Sequence, residues 1–269
     1  MKKTILIFSV IVIIVLLFLS GPLFVYSPVI AGFDKKETKR AAIYFHKGCD
    51  ISMAVNIDKL MEELEDFYAM EYGGKIELVI TGSDAECRRL SMKNTRFNTY
   101  YNGRIMASGR TVKEAAEGKI HPDNYLKHEL SHALLFRNMN VINSMKFPRW
   151  LNEGLATYAG GLRGVDGYNT GKEALNKIRQ GYYLPFEKRD KAKMKDLRSK
   201  MPAGTAWFTY SGWATAVEAL IETYGKEKFF EYLHAVMSGG KKEMAFKAAF
   251  GKNIQDIVNI LQQYSGSNE

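Results

Sequence analysis

Cysteine is nearly absent: Cys49 and Cys87 are the only two in 269 residues. Neither has the spacing of a zinc ligand, which excludes a cysteine-held metal, and two thiols can make at most one disulfide. We expect that bond if the chain is exported, against the alternative of two unlinked buried thiols. Recognisable nucleic-acid-binding modules are missing, although the net charge is +9. The lysines are scattered, and the densest basic group (Lys188, Arg189, Lys191, Lys193, Lys195) is interleaved with acids. The charge therefore reads as a solvated face, suited to a negatively charged surface, and no nucleic-acid partner is expected. No internal repeat is present, and the hydrophobic content is that of a folded chain rather than a disordered one.

One long hydrophobic run lies at the N-terminus. Lys2 and Lys3 precede Ile5 to Leu19, and Leu23 to Tyr26 extend the run beyond Ser20-Gly21-Pro22. Read as one helix, Ile5 to Tyr26 is long enough to cross a bilayer. It lacks the polar face of a surface helix. No small-residue cleavage site closes it, since Val29-Ile30-Ala31 lies far downstream. Residues 1–34 are read as an N-terminal membrane anchor with a short linker, a cleaved export signal being the alternative. Residues 35–269 are read as one folded domain, long enough for its own core. Lys35, Lys36, Lys39 and Arg40 outnumber Lys2 and Lys3, against a simple positive-inside count. The leader still has the form of an export signal. The domain is therefore expected outside the cytoplasm, at the cell membrane or, after cleavage, secreted or periplasmic.

Chemistry concentrates in His128-Glu129-Leu130-Ser131-His132. Histidines four apart on a helix point to one side, so both imidazoles can reach a single metal ion, and the glutamate between them can take a proton from a bound water. A catalytic zinc (Zn2+) needs a third protein ligand and an open position. Glu153, within Pro148-Arg149-Trp150-Leu151-Asn152-Glu153-Gly154-Leu155-Ala156, is the candidate. His46 and His234 have nothing beside them to complete a site.

Periodicity predicts a strand over 41–46, a helix over Ile57 to Tyr72 and a strand over Lys75 to Thr81, in which Ile76, Leu78 and Ile80 alternate against Glu77 and Val79. A helical turn follows from Asp84 to Leu90, and Asn102 to Gly109 reads as a turn and strand. Pro122-Asp123 start the histidine-bearing helix, expected to run to about Asn138, and the Glu153 helix is expected to stop at Gly160-Gly161. Thr170 caps a helix through Arg179; the rest of 162–205 is basic and reads as loop. Tyr210 to Tyr224 and three later segments, about 226–237, 242–250 and 254–264, read as helices.

HELSH followed by WLNEGLA resembles the gluzincin metallopeptidases, and most nearly the peptidase MA-like group, from about residue 76 to the C-terminus. The resemblance implies an α+β zincin-like domain: a small mixed sheet with an edge strand at the cleft, a zinc helix and a helical C-terminal lobe. It implies His128, His132 and Glu153 as zinc ligands and Glu129 as general base. The edge strand is assigned to the stretch Asn102 to Gly109, where an extended peptide can add by backbone hydrogen bonds. Aminopeptidases of this branch hold the substrate amine with an acid near that edge; no carboxylate occurs between Tyr100 and Lys113, which favours internal cleavage. Thr157 stands where related enzymes often carry a carboxylate that orients a ligand histidine; a threonine can accept an imidazole N–H but adds no charge. Tyr210 is the candidate phenol for the oxyanion, with a packed tyrosine as the alternative and Tyr182 and Tyr183 as competitors. The expected activity is zinc-dependent peptide-bond hydrolysis at the cell envelope. The other readings are a catalytically inactive zincin-like binding module and a cell-wall amide hydrolase.

Overall fold

The alternating stretch around Leu78 lies at the centre of a five-stranded sheet in the computed structural model, which describes residues 2–186 and 190–266. The chain divides into two units, one of residues up to 65 with 71–137, the other of residues 66–70 with 138–269. In the first unit, helix α1 (Lys2–Ser20) leads through a 3-10 turn at Phe24–Tyr26 to strands β1 (Asp34–Glu37) and β2 (Ala41–Phe45). Helix α2 (Ile57–Tyr68), strand β3 (Ile76–Ile80) and helix α3 (Asp84–Ser91) follow. Strands β4 (Phe97–Thr99) and β5 (Ile105–Ala107) form a hairpin ahead of α4 (Gly109–Ala116) and α5 (Pro122–Arg137). The strand order is β1-β2-β3-β5-β4, with β2, β3 and β5 parallel and the two outer strands antiparallel to their neighbours.

This order corrects the assignment of the edge strand. The stretch Asn102 to Gly109 supplies β5, which is interior, pairing with β3 on one side and β4 on the other. The terminal strand on that side is β4, only three residues long. Its connection to β5 contains Asn102-Gly103, and Gly103 takes φ +85°, the left-handed conformation that favours glycine in a tight turn.

Parallel strands are buried on both faces, so their sequences need apolar side chains on both. Val79, expected to alternate outward, is fully buried. It packs in a cluster with Phe24, Val25, Leu90 and Met106. Phe24 and Val25 thus cover one face of the sheet, although the sequence placed them in the anchor and linker. Arg104, 3% exposed, fixes them. Its guanidinium donates to the carbonyl oxygens of Phe24 (2.7 Å) and Ser27 (2.8 Å) and to Glu77 Oε2 (2.7 and 2.9 Å). Asn102 donates to the Val25 carbonyl at 2.9 Å, and Arg89 to that of Ser20.

Ile5 to Tyr26 is therefore not one helix. Gly21-Pro22 ends α1 at Ser20, and the next turn belongs to the folded body. Among the described residues, no helix is long and apolar enough to cross a membrane. The apolar side chains of α1 are exposed, Ile5 by 61% and Phe8 by 68%. The expected disulfide is absent as well: Cys49 and Cys87 are free thiols. Cys87 is buried beside Ser91 Oγ, and Cys49 lies against the Asp50 carbonyl, each at 3.7 Å.

The second unit is helical: α6 (Val141–Lys146), α7 (Arg149–Ala159), α8 (Gly171–Arg179), α9 (Lys191–Lys200), α10 (Thr205–Tyr224), α11 (Lys226–Met237), α12 (Lys242–Phe250) and α13 (Ile257–Gln263). Helix α10 is buried from Phe208 to Leu220 except at Tyr210, as befits the element the others pack around. The stretch expected as basic loop contains α9. Asp190 caps it by accepting from the N–H groups of Ala192 and Lys193, while Met194 and Leu197, three apart, are its buried side. Its lysines are good helix formers on the solvent face, which is why charge alone misled. Lys188 and Arg189 of the basic group lie outside the described residues. Thr170 caps α8 as expected, in a reciprocal capping box with Glu173.

Candidate metal centre

Helix α5 presents its apolar residues inward, with Leu126, Leu130, Ala133 and Leu134 fully buried. The remaining face carries His128 and His132, four residues apart and so stacked one turn above the other. Both are buried, at 6% and 7% exposure. Their Nε2 atoms lie 3.1 Å apart and their rings stand at 89°. Two imidazole nitrogens bound tetrahedrally to one zinc at 2.0–2.1 Å would be separated by about 3.3–3.4 Å. The pair is therefore close to the spacing that a shared metal requires. Phe136 runs nearly parallel to the His132 ring, at 6.1 Å.

Glu129, half-buried between the two histidines in sequence, is held from β4. Thr99 Oγ1 lies 2.7 Å from Glu129 Oε2 and 3.0 Å from the Glu129 carbonyl oxygen. A short hydroxyl contact to a carboxylate fixes its rotamer. The next residue, Tyr100, donates to the Ser91 carbonyl at 3.0 Å. Burial pushes its phenol up to about 12, against the lowering effect of that hydrogen bond, and the Glu129 charge adds to the rise. Tyr100 thus stays protonated and takes no part as a base.

In the second unit, α7 begins at Pro148 and buries Trp150, Leu151, Gly154, Leu155, Ala156 and Thr157. Glu153 is half-buried on the opposite side. Arg149, one turn before it, reaches both predicted site residues of this unit. Its Nη2 donates to the Tyr210 phenol oxygen at 3.1 Å, and its Nε lies 4.0 Å from Glu153 Oε1. Burial works against the Arg149 charge, and Tyr210 and Glu153 more than offset it, so its pKa is raised. The Tyr210 ring stacks on Trp213 at 5.7 Å, and Trp213 Nε1 is anchored on the Pro185 carbonyl at 2.8 Å. The competing tyrosines are engaged elsewhere. Tyr182 packs edge-on against Phe208, and Tyr183 accepts from the Asp190 N–H.

Helices α7 and α10 touch backbone to backbone at Gly154: a Cβ there would sit 2.8 Å from the Trp213 carbonyl oxygen. Arg163 and Glu218 form a buried two-point ion pair, at 2.7 and 2.8 Å. Thr157 is fully buried, and its Oγ1 has no hydrogen-bond partner among the described residues. His46 is occupied by both oxygens of Glu86, at 2.9 and 3.1 Å.

The structure thus brings His128, Glu129 and His132 together on α5, and links Glu153 with Tyr210 through Arg149. Two of these partners had no role in the sequence reading. Arg149 was visible, four residues before Glu153 and inside the quoted motif. Thr99 carried no signal, because only the fold sets it beside Glu129. A family model described as the peptidase MA superfamily matches residues 120–265. Comparison with curated proteins finds no match.

Proposed function

Since the chain belongs to the peptidase MA superfamily, we propose that it is a zinc-dependent endopeptidase, with His128, His132 and Glu153 as the metal ligands and Glu129 as the general base. The buried histidine pair on α5, with Nε2 atoms 3.1 Å apart and Glu129 between them in sequence, carries this reading. Glu153 adds the carboxylate of a set whose residue types could hold a metal ion. Two imidazoles and one carboxylate suit zinc, and a glutamate beside them is not needed for a purely structural ion.

When bound, zinc would lower the pKa of a water and polarise the scissile carbonyl. Glu129, fixed by Thr99, takes the proton of the attacking water and returns it to the leaving amine. No acyl-enzyme forms, so no serine or cysteine nucleophile is required. Tyr210, which accepts from Arg149, is the candidate phenol for the carbonyl oxygen as charge develops there. An extended substrate adds to the outer edge of β4, the terminal strand. Neither β4 nor the stretch between Tyr100 and Lys113 carries a carboxylate of its own to hold a free amine, in keeping with internal cleavage. We place the protein at the cell envelope, outside the cytoplasm, where a membrane would take up the exposed apolar side chains of α1.

The test is zinc content and peptide turnover in the wild-type chain, His132→Ala and Glu129→Gln. The expected result is about one zinc per wild-type chain, lost in His132→Ala. Glu129→Gln should keep its zinc and lose turnover by roughly 10²–10⁴-fold. A folded, metal-replete wild-type chain without zinc, or a Glu129→Gln variant that still cleaves at the wild-type rate, would sink the proposal.

A further inference from the structure

A cavity of about 450 Å³ opens in the second unit between α9 and the start of α10. Two arginines, Arg149 and Arg198, stand in its lining, with Tyr210 beside them and Met194, Pro202 and Ala206 as its apolar part. No acidic side chain lines it among the described residues. Arg198 is exposed and has no ion-pair or hydrogen-bond partner among them. The nearest acids in sequence are engaged: Asp196 pairs with Lys200 at 2.8 Å, and Asp190 caps α9. The two threonines of the lining, Thr205 and Thr209, spend their hydroxyl protons on the carbonyls of Met201 and Thr205, each at 2.6 Å. The charged donors facing the cavity are therefore guanidinium N–H groups, set beside a short apolar wall.

We infer that this cavity is a subsite for a carboxylate of the substrate, gripped by Arg198 and Arg149, with the apolar wall taking the methylenes that carry it. Planar guanidinium groups match carboxylates by paired N–H···O bonds. The subsite rests on the endopeptidase reading above. Its position follows from Arg149, which touches Tyr210 and lies 4.0 Å from Glu153. A group bound in the cavity is thereby tied to the residues proposed for chemistry. The carboxylate has two sources in a peptide, an acidic side chain or the C-terminus.

Binding separates these sources without turnover. The full chain, zinc-loaded and carrying Glu129→Gln, is titrated by fluorescence anisotropy with three short alanine-rich peptides bearing an uncharged fluorophore. One has a central glutamate and an amidated end, one a central glutamine and an amidated end, and one a central glutamine and a free C-terminal carboxylate. One of the two carboxylate peptides should bind roughly tenfold more tightly than the neutral one, the worth of a charge-assisted contact. Which one does so names the source. Arg198→Gln should bring the preference to within about twofold, and Arg198→Lys should restore part of it. The zinc content and melting temperature of Arg198→Gln establish that it is folded. Equal binding of all three peptides, a preference that survives Arg198→Gln, or no binding of any peptide would overturn the subsite. Cleavage is assayed separately, so a chain that binds acidic peptides but never cuts them would count against the peptidase reading alone.

Discussion

Replacing Gly154 with alanine probes the contact on which Glu153 depends. The new methyl would lie 2.8 Å from the Trp213 carbonyl oxygen, 3.0 Å from its carbonyl carbon and 3.2 Å from its Cβ. Ordinary carbon contacts begin near 3.5 Å, so α7 and α10 would have to part by roughly half an ångström. Two of these three atoms are backbone in the middle of a buried helix and cannot swing aside. The cost falls at the upper end of the overpacking range, about 3 kcal/mol. Alanine returns about 1 kcal/mol through its better helix propensity, leaving about 2 kcal/mol of destabilisation. For a chain of this size that corresponds to a fall in Tm of roughly 4–8 °C. Because Glu153 precedes the contact directly, zinc affinity should fall about tenfold along with it. Gly212 on α10 is the control. A Cβ there meets only the Leu184 side chain, at 2.9 and 3.0 Å, and a leucine can change rotamer. Gly212→Ala should therefore move Tm by less than about 3 °C. Thermal unfolding by circular dichroism and chelator competition for zinc measure both effects. Equal shifts for the two variants, or a Gly154→Ala chain as stable as wild type, would refute the argument that backbone proximity fixes this position.

Three further outcomes follow from contacts in the first unit. Thr99→Val should lower kcat about tenfold by freeing the Glu129 carboxylate, with zinc content unchanged; Thr99→Ser should recover most of the rate, and a fully active valine variant would remove the assigned role. Arg104→Met should cost about 3 kcal/mol and expose 24–34 to limited proteolysis, because the carbonyls of Phe24 and Ser27 and the Glu77 carboxylate lose their donor. An unchanged digestion pattern would show that the apolar contacts suffice. Burial raises the pKa of Asp58, but the Thr38 hydroxyl and the N–H groups of Arg40 and Lys39 outweigh it, so the folded value is lowered. A lowered carboxylate contributes stability above its unfolded pKa of about 4 and loses it as the pH falls through the folded value. The advantage of wild type over Asp58→Asn, measured by denaturant midpoint, should shrink steadily below about pH 4; a gap independent of pH would contradict the assignment.

The parts of the molecule that sequence made legible are those whose information is local. Helices α5 and α7 carry their starting prolines, their apolar spacing and their ligand-type residues within a turn or two, and both appeared close to where they were expected. Strand β3 was found for the same reason, yet its outward face was misjudged, because the cover over Val79 comes from Phe24 and Val25 more than fifty positions earlier. Strand β4 has three residues, too few for any period, and becomes a strand by pairing with β5. The Thr99 contact to Glu129 depends on that pairing, so no reading of either segment alone contains it. Helix α9 was missed for a different reason: a run of lysines resembles a solvated loop until the Met194 and Leu197 spacing is given its weight. At the N-terminus the breaking signal, Gly21-Pro22, was present and was outweighed by the continuous apolar composition around it.

The Arg104 clamp also determines how far the protein can reach. A domain on a slack tether samples a sphere and meets targets anywhere within it. Here Gly21 to Leu23 separate α1 from residues embedded against the sheet, and Arg89 holds the last carbonyl of the helix. There is almost no rope to pay out. A surface that took up α1 would set the standoff height of β4 and of the histidines on α5 in the same unit, within the play of a single turn. Substrates would then be chosen by altitude as much as by sequence: a susceptible bond must be presented at that height, and loops that extend further or stop short of it would pass untouched.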